Sequence, residues 1–376
     1  MSELEVLLER GHELLRLLRQ ARSGDPIWAD LAPRVGEDGA RDEHALERQQ
    51  LAWALQYSLD ETSATDAAIV RALLAHEVQW KEQDPHQGIG ETLEICCWLV
   101  SRACDPQDVW LLARAKTANF DTECGLDREH LFSGGVAHTL QLVRASTRPE
   151  REDVLAELLD EEGQPLITDD EFATWRDHKA SAFPAQPQDE PLETWISRAL
   201  ALGRRAEGRA LVQRWAKGRD PDADFLAAHA SYLEELGDLA GAADARGVLV
   251  SHTSGAFERA GALGRATAAE RQAQRWARAW AQLEHAALLH RNHRDWRELG
   301  LGRELVSEAF ALAAHAPAAI AAQAFALGDE FATQTPRLPP VAVERALLAA
   351  RQLQLPQRQE HYQRLLEKVR AAETLR

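Results

Sequence analysis

The sequence predicts an all-α protein made of helical-hairpin repeats, an α-solenoid-like fold with two packed helical regions. Apolar residues recur at intervals of three, four and seven positions, as they do along one face of a helix. Strand-length runs rich in Val, Ile and Thr are nearly absent. Turn-forming residues separate helical segments of about 12–20 residues, and the short connections between them favour antiparallel neighbours.

Two apolar stripes show the helical period most clearly. The first is formed at the N-terminus by Leu4, Leu8, Leu15 and Leu18. The second is formed by Ile69, Val70, Leu73, Leu74, Val78 and Trp80. Each stripe predicts a helix that buries one face.

Four residue pairs have the spacing of a helix N-terminal capping box. In such a box a hydroxyl accepts a hydrogen bond from a first-turn amide, and an acid three residues later binds the capping amide. The pairs are Ser2 with Glu5, Ser63 with Asp66, Thr147 with Glu150, and Thr168 with Glu171. Each precedes apolar periodicity, so each predicts the start of a helix.

Charge and proline content divide the chain into two regions. Residues 1–190 contain 38 acidic and 18 basic residues, whereas residues 191–376 contain 22 and 25. The stretch between 181 and 192 contains three prolines and little apolar content, which predicts an extended linker. We therefore predict an acidic helical domain at 1–180, a proline-rich linker at 181–192 and a second helical domain at 193–376.

One helical pair beyond the linker resembles a tetratricopeptide repeat. The matching large, small and turn positions are Leu226, Ala230, Leu233, Gly237, Asp238 and Ala242. Arg246 stands where the family usually has an aromatic residue, and a poorer second match runs from Leu283 to Trp296, with Ala287 at the small position. The resemblance covers mainly residues 222–296 and implies helical-repeat architecture, with protein binding implied by analogy. The helical hairpins of the first half have no fixed period and are more similar to HEAT repeats.

Composition bears on location and chemistry. No apolar run approaches the roughly 18–20 residues that span a bilayer, and glutamates interrupt the apolar pattern of the N-terminal helix. We therefore expect a cytoplasmic protein without membrane association. The 38 arginines and five lysines suggest a GC-rich bacterial genome. The four cysteines form no CxxC motif, which predicts free thiols in a reducing compartment.

The polar segment 119–130 is the first candidate binding site. It contains Asn119, Asp121, Asp127 and His130, a mixture that could bind a partner, ligate a metal or serve in acid–base catalysis. The structural alternative is an interhelical loop in which Asn and Asp cap helices and turns.

An acidic stretch before the linker is the second candidate. It consists of Asp160, Glu161, Glu162, Asp169, Asp170 and Glu171. Opposite charge accelerates encounter, so these residues would receive a basic partner. The alternative is a solvated face that only maintains solubility.

A group of histidines and a basic segment are both interpreted as structural features. The histidines His285, His290 and His293 lack the HExxH pattern of a zinc protease, so no metal site is expected. Segment 259–303 has nine arginines and four acids, with Trp276 and Trp280 one helical turn apart. Those tryptophans are expected to face the core, and the whole-chain charge of −17 disfavours nucleic acid as a partner.

These observations favour a non-enzymatic protein-interaction module of the bacterial cytoplasm. No Walker A loop, GxGxxG, GxSxG or kinase motif is present, so no cofactor is expected. A basic protein is the expected partner, and the oligomeric state stays open. One alternative is an immunity-type protein that neutralises a basic toxin. Another is an all-α enzyme or metal-binding protein that uses segment 119–130.

Overall fold

The computed structural model describes residues 2–22, 25–37, 41–83, 88–293 and 295–374. The chain divides into two compact units, Met1–Arg204 and Arg205–Arg376. Across the described ranges the regular structure is helical, and the only β pairing consists of two isolated bridges. The predicted all-α fold class is confirmed.

The first unit has short and medium-length helices joined by structured turns. They are α1 (Glu3–Gln20), α2 (Pro26–Ala29), α3 (Ala45–Ser58), α4 (Ala64–Gln83), α5 (Glu91–Arg102), α6 (Val109–Lys116), α7 (Phe120–Gly125), α8 (Val136–Ala145), α9 (Arg151–Leu158), α10 (Asp169–Ala182) and α11 (Leu192–Ala201). Single 3-10 turns lie at Pro106–Asp108, Arg128–Phe132 and Pro187–Asp189. Helix α1 packs on α3, and α5 packs on both α3 and α4.

The second unit is a series of helical hairpins. Its helices are α12 (Arg205–Ala216), α13 (Ala223–Glu235), α14 (Leu239–Ser251), α15 (Ala256–Gln272), α16 (Trp276–Arg291), α17 (Gly300–His315), α18 (Ala318–Ala332), α19 (Pro340–Gln352) and α20 (Pro356–Thr374). From α13 onward, consecutive helices pack in pairs, and α17 also packs against α15 and α19. This pairing confirms the hairpin, solenoid-like architecture.

Glu308 joins three helices of the second unit through ion pairs. Glu308 of α17 pairs with Arg271 of α15 at 3.0 Å and with Arg345 of α19 at 3.0 Å. Each partner is 37 residues away from Glu308 along the chain. Equal spacing on alternate helices is typical of a stacked array of helical hairpins.

The predicted stripes form helix faces in the core. Leu8, Leu15 and Leu18 are buried on α1, and Leu4 is half-buried. The stripe from Ile69 to Trp80 on α4 is buried along its length. Burial of these side chains is the main stabilising term for both helices, because a helix of this length is marginal in isolation.

The predicted helix starts hold at three of the four capping pairs. Ser2 with Glu5 and Thr168 with Glu171 form complete capping boxes. Ser63 accepts the Asp66 amide at 3.2 Å, but the Asp66 carboxylate binds Arg19. The Thr147 prediction is wrong, because α9 begins at Arg151 and its cap residue Glu150 makes no side-chain capping bond.

The hairpin of α13 and α14 has the geometry expected from its small residues. Ala230 and Ala242 are fully buried where the two helices meet. Gly237 has φ +80°, a conformation that an L side chain disfavours, and Asp238 caps α14 by accepting the Gly241 amide at 2.9 Å. Arg246, at the position of the expected aromatic, pairs with Glu234 at 3.1 Å.

The proline-rich stretch 181–192 lies in the first unit, before the division at Arg204. Gln56 donates to the Pro184 carbonyl at 3.2 Å, and Trp195 donates to the Pro187 carbonyl at 2.9 Å. Glu190 is buried and accepts from Gln56 at 2.7 Å. The segment is therefore held against α3 and α11 by specific hydrogen bonds.

Within the residues that the structure describes, no helix combines the length and the apolar character that crossing a bilayer requires.

Candidate functional site

The start of segment 119–130 is organised as a helix cap. Asn119 forms a capping box with Thr122 at the start of α7. The side-chain amide of Asn119 also donates to the Lys81 carbonyl at 3.3 Å. Asp121 accepts the Gly88 amide at 2.8 Å. Lys116 is buried and donates to the Leu126 carbonyl at 2.9 Å, at the C-terminal end of α7. These bonds are the structural role that the capping alternative predicts.

The end of segment 119–130 is joined to α10. Asp127 accepts hydrogen bonds from the Trp175 indole and the Lys179 ammonium, both at 2.8 Å. Burial raises the pKa of the Asp127 carboxyl, but the bonds from Lys179 and Trp175 outweigh it and bring the pKa below its usual range. Asp127 is therefore an ionised, paired carboxylate.

His130 lies fully inside the first unit. Its Nδ1 is 2.8 Å from the Ser101 hydroxyl, and that hydroxyl donates to the Cys97 carbonyl at 2.7 Å. Since the serine proton is used on Cys97, His130 donates from Nδ1. Burial, and then the Lys179 cation, lower the pKa of His130 to about 3. Its ring meets Trp175 edge-on at 4.7 Å.

The acidic candidates lie on the surface around the start of α10. Glu161, Glu162, Asp169 and Asp170 are exposed. Two candidates have structural roles as well, because Asp160 accepts the Gln164 amide at 2.7 Å and Glu171 closes the capping box with Thr168. The structure therefore joins the two predicted stretches through α10, which carries Asp169, Asp170 and Glu171 in its first turn and binds Asp127 further along.

The acidic surface is longer than the sequence reasoning proposed. Residues 150–171 contain ten acidic residues and one basic residue, Arg151. Eight of the ten are exposed: Glu150, Glu152, Asp153, Glu161, Glu162, Asp169, Asp170 and Glu171. A count of charge in a sliding window would have found this segment, which we call the acidic segment 150–171.

An open cleft of about 510 Å³ borders the acidic segment. It is lined by α4, the 106–108 turn, α6 and α9, with Trp110 and Leu111 as its large apolar residues. Arg71, Arg114 and Arg148 contribute cations, while Glu150, Asp153 and Glu157 contribute acids from the α9 side. Sequence reasoning missed this cleft because its walls come from separate helices.

His290 and several residues of the basic segment 259–303 are held by packing and by ion pairs within the second unit. His290 is buried and lies 2.7 Å from the Ala286 carbonyl through Nδ1. Trp276 and Trp280 are half-buried against the core of the second unit, as predicted. Arg275 pairs with Asp244, and Arg291 pairs with Glu330 at 2.8 Å. Much of the local positive charge is therefore neutralised inside the second unit.

The cysteines are free thiols. Cys96 and Cys97 are fully buried, and burial raises the pKa of both thiols above the usual range. Cys104 and Cys124 are exposed. Throughout the described ranges, His, Cys, Asp and Glu side chains form no group of three or more with the proximity that a metal ion needs.

Compared with known proteins, the chain matches no family model, and no curated protein or solved structure is significantly similar to it. The packed helix pairs are compatible with a helical repeat, while the resemblance to tetratricopeptide or HEAT repeats is not confirmed.

Proposed function

We propose that this chain is a non-enzymatic interaction module that binds a basic protein through the acidic surface of its first unit. The observation that carries the proposal is the acidic segment 150–171, with eight exposed carboxylates in 22 positions. Long-range attraction to such a surface raises association rates and selects partners of opposite charge.

The charge distribution between the units supports the same function. Residues 1–204 carry 39 acidic and 20 basic residues, a net charge of −19, whereas residues 205–376 are near neutral. Charge of one sign destabilises a compact unit by self-repulsion, and a basic partner relieves that cost. Helical hairpins like those of tetratricopeptide and HEAT repeats commonly bind proteins, and this likeness supports the proposal by analogy.

The states of Asp127 and His130 argue against catalysis by segment 119–130. Asp127 is neutralised by Lys179, and His130 is enclosed with its Nδ1 proton bound to Ser101. A general acid or base must reach its substrate and titrate near the working pH, and neither group does so. The bacterial cytoplasm stays the location that we propose.

The test compares two charge-neutralised variants of the full chain with the wild type. One variant changes four exposed acids of the segment: Glu161→Gln, Glu162→Gln, Asp169→Asn and Asp170→Asn. The matched control changes four exposed acids of the second unit: Asp220→Asn, Asp224→Asn, Glu235→Gln and Glu284→Gln. Each tagged protein is purified from a bacterial lysate at about 50 mM and about 500 mM salt, and retained proteins are identified by mass spectrometry.

We expect one stoichiometric basic partner at low salt with the wild type and the control, and its loss with the segment variant and at high salt. A partner that is toxic alone and inactive in the complex would make this chain an immunity-type protein. Retention that is equal for both variants, or insensitive to salt, would refute the proposal.

A further inference from the structure

The cleft beside the acidic segment already holds a guanidinium group against an aromatic ring. The guanidinium carbon of Arg148 lies 4.9 Å from the centre of the Trp110 ring. Arg148 is exposed in the connection between α8 and α9, and no carboxylate of the described chain lies within ion-pair distance of it. Contact with the ring is therefore the main interaction of its guanidinium, and such stacking is favourable for a cation.

The other two arginines of the cleft are neutralised within the fold. Arg71 binds Asp108 at 2.6 Å and Asp105 at 3.0 Å. Arg114 forms two hydrogen bonds with the Glu82 carboxylate, both at 2.6 Å. Their positive charge is therefore not available to attract an anion.

The acids on the α9 wall of the cleft, unlike these two arginines, are not held in close ion pairs. Glu150 and Asp153 are exposed and line the cleft, and neither has a basic partner within 4.0 Å in the described ranges. Glu157 lies beside them and only reaches Arg128 at 4.0 Å. Apart from Arg148, the charges of the cleft that the fold leaves unpaired are thus carboxylates, and they share the cleft with an aromatic face. This combination suits a cation that is flat and donates several hydrogen bonds.

We infer that this cleft binds an arginine side chain of the partner, stacked on Trp110 and paired with Glu150 and Asp153. Arg148 covers the ring when no partner is bound and is displaced by the incoming guanidinium. The inference rests on the proposed function, because it names the side chain that the acidic surface anchors. Arginine is preferred to lysine because its planar guanidinium stacks on the ring and binds carboxylates in two-pronged fashion.

The test measures binding of fluorescein-labelled hexa-arginine and hexalysine to the full chain by fluorescence anisotropy at about 50 mM salt. The two peptides have equal charge, so the ratio of their affinities separates guanidinium recognition from general attraction. Arginine also binds acidic surfaces elsewhere, and the decisive quantity is therefore how this ratio changes between variants.

Three variants and one control define the outcome. We expect Trp110→Leu, and separately the pair Glu150→Gln with Asp153→Asn, to reduce the arginine preference about fivefold. Arg148→Ala should strengthen hexa-arginine binding about threefold, because the competing side chain is gone. The control pair Glu161→Gln with Glu162→Gln removes the same charge outside the cleft, so it should weaken both peptides equally and preserve the ratio.

Each alternative result overturns a specific statement. If the ratio is the same in the wild type, in Trp110→Leu and in the Glu150 and Asp153 variant, the peptides bind outside the cleft. The arginine site is then wrong while the acidic-surface function stands. If neither peptide binds the wild type at low salt, both the site and the attraction to basic partners are wrong. The carboxylate variant changes only exposed side chains, so it tests the site even if Trp110→Leu does not fold.

Discussion

Substitution of Arg198 by Met should destabilise the first unit strongly. The guanidinium is 2% exposed, donates to Glu91 at 2.8 Å and to Gln56 at 3.2 Å, and lies 3.6 Å from Glu190. It also lies 4.8 Å from the centre of the Trp195 ring. Methionine has a similar length but leaves the buried Glu190 without its cation.

The magnitude follows from burial. Removing one partner of a buried ion pair costs about 3–5 kcal/mol, because the remaining charge is desolvated and unpaired. Urea unfolding of the full chain, followed by circular dichroism and tryptophan fluorescence, measures the change in free energy. Arg364→Met is the matched control, since Arg364 and Glu360 form a pair in which both side chains are 71% exposed. The control should change stability by less than about 0.5 kcal/mol. A loss below about 1 kcal/mol for Arg198→Met would refute the argument from burial.

Three further perturbations test other parts of the first unit by urea unfolding. Gly11→Ala should cost about 2 kcal/mol or more, because the added Cβ would lie 2.1 Å from the Gln50 carbonyl oxygen. A loss under about 0.5 kcal/mol would contradict this close contact between α1 and α3. Asp127→Asn should cost about 1–2 kcal/mol at pH 7. Because the pKa of Asp127 is lowered in the fold, the difference should begin to shrink as the pH falls through about 4 and should vanish once the pH lies below the folded pKa. A pH-independent difference would exclude the ion pair with Lys179 as its cause. Relative to His130→Gln, the free energy of unfolding of the wild type should fall by about 2 kcal/mol between pH 6.5 and 5. The reason is that the pKa of His130 is about 3 in the fold and 6.5 in the unfolded chain, so that only the unfolded chain takes up the proton in this range. Parallel pH profiles would show that His130 is not buried neutral.

Local features of the sequence predicted the fold class well. The leucine stripe of α1, the stripe of α4 and the capping boxes at Ser2 and Thr168 all depend on residues within a few positions of one another. Thr147 was misassigned for the same reason, since a capping spacing alone does not show where the helix begins. The proline-rich stretch 181–192 was predicted as an extended linker from composition, and the hydrogen bonds that hold it to Gln56 and Trp195 were not visible locally.

The candidate residues of 119–130 and 160–171 were recognisable as polar, but their chemical states were not. Asp127 and Lys179 are far apart in the sequence, yet their side chains are 2.8 Å apart, and His130 is neutral because helices enclose it. Likewise, the cleft around Trp110 exists only where α4, α6 and α9 meet. Periodicity, capping and net charge are properties of neighbouring residues, so the sequence by itself determined the helices and the acidic character of the first unit. Which charges are paired, buried or left facing a partner depends on distance through space and on exclusion of water, and only the tertiary structure decided that.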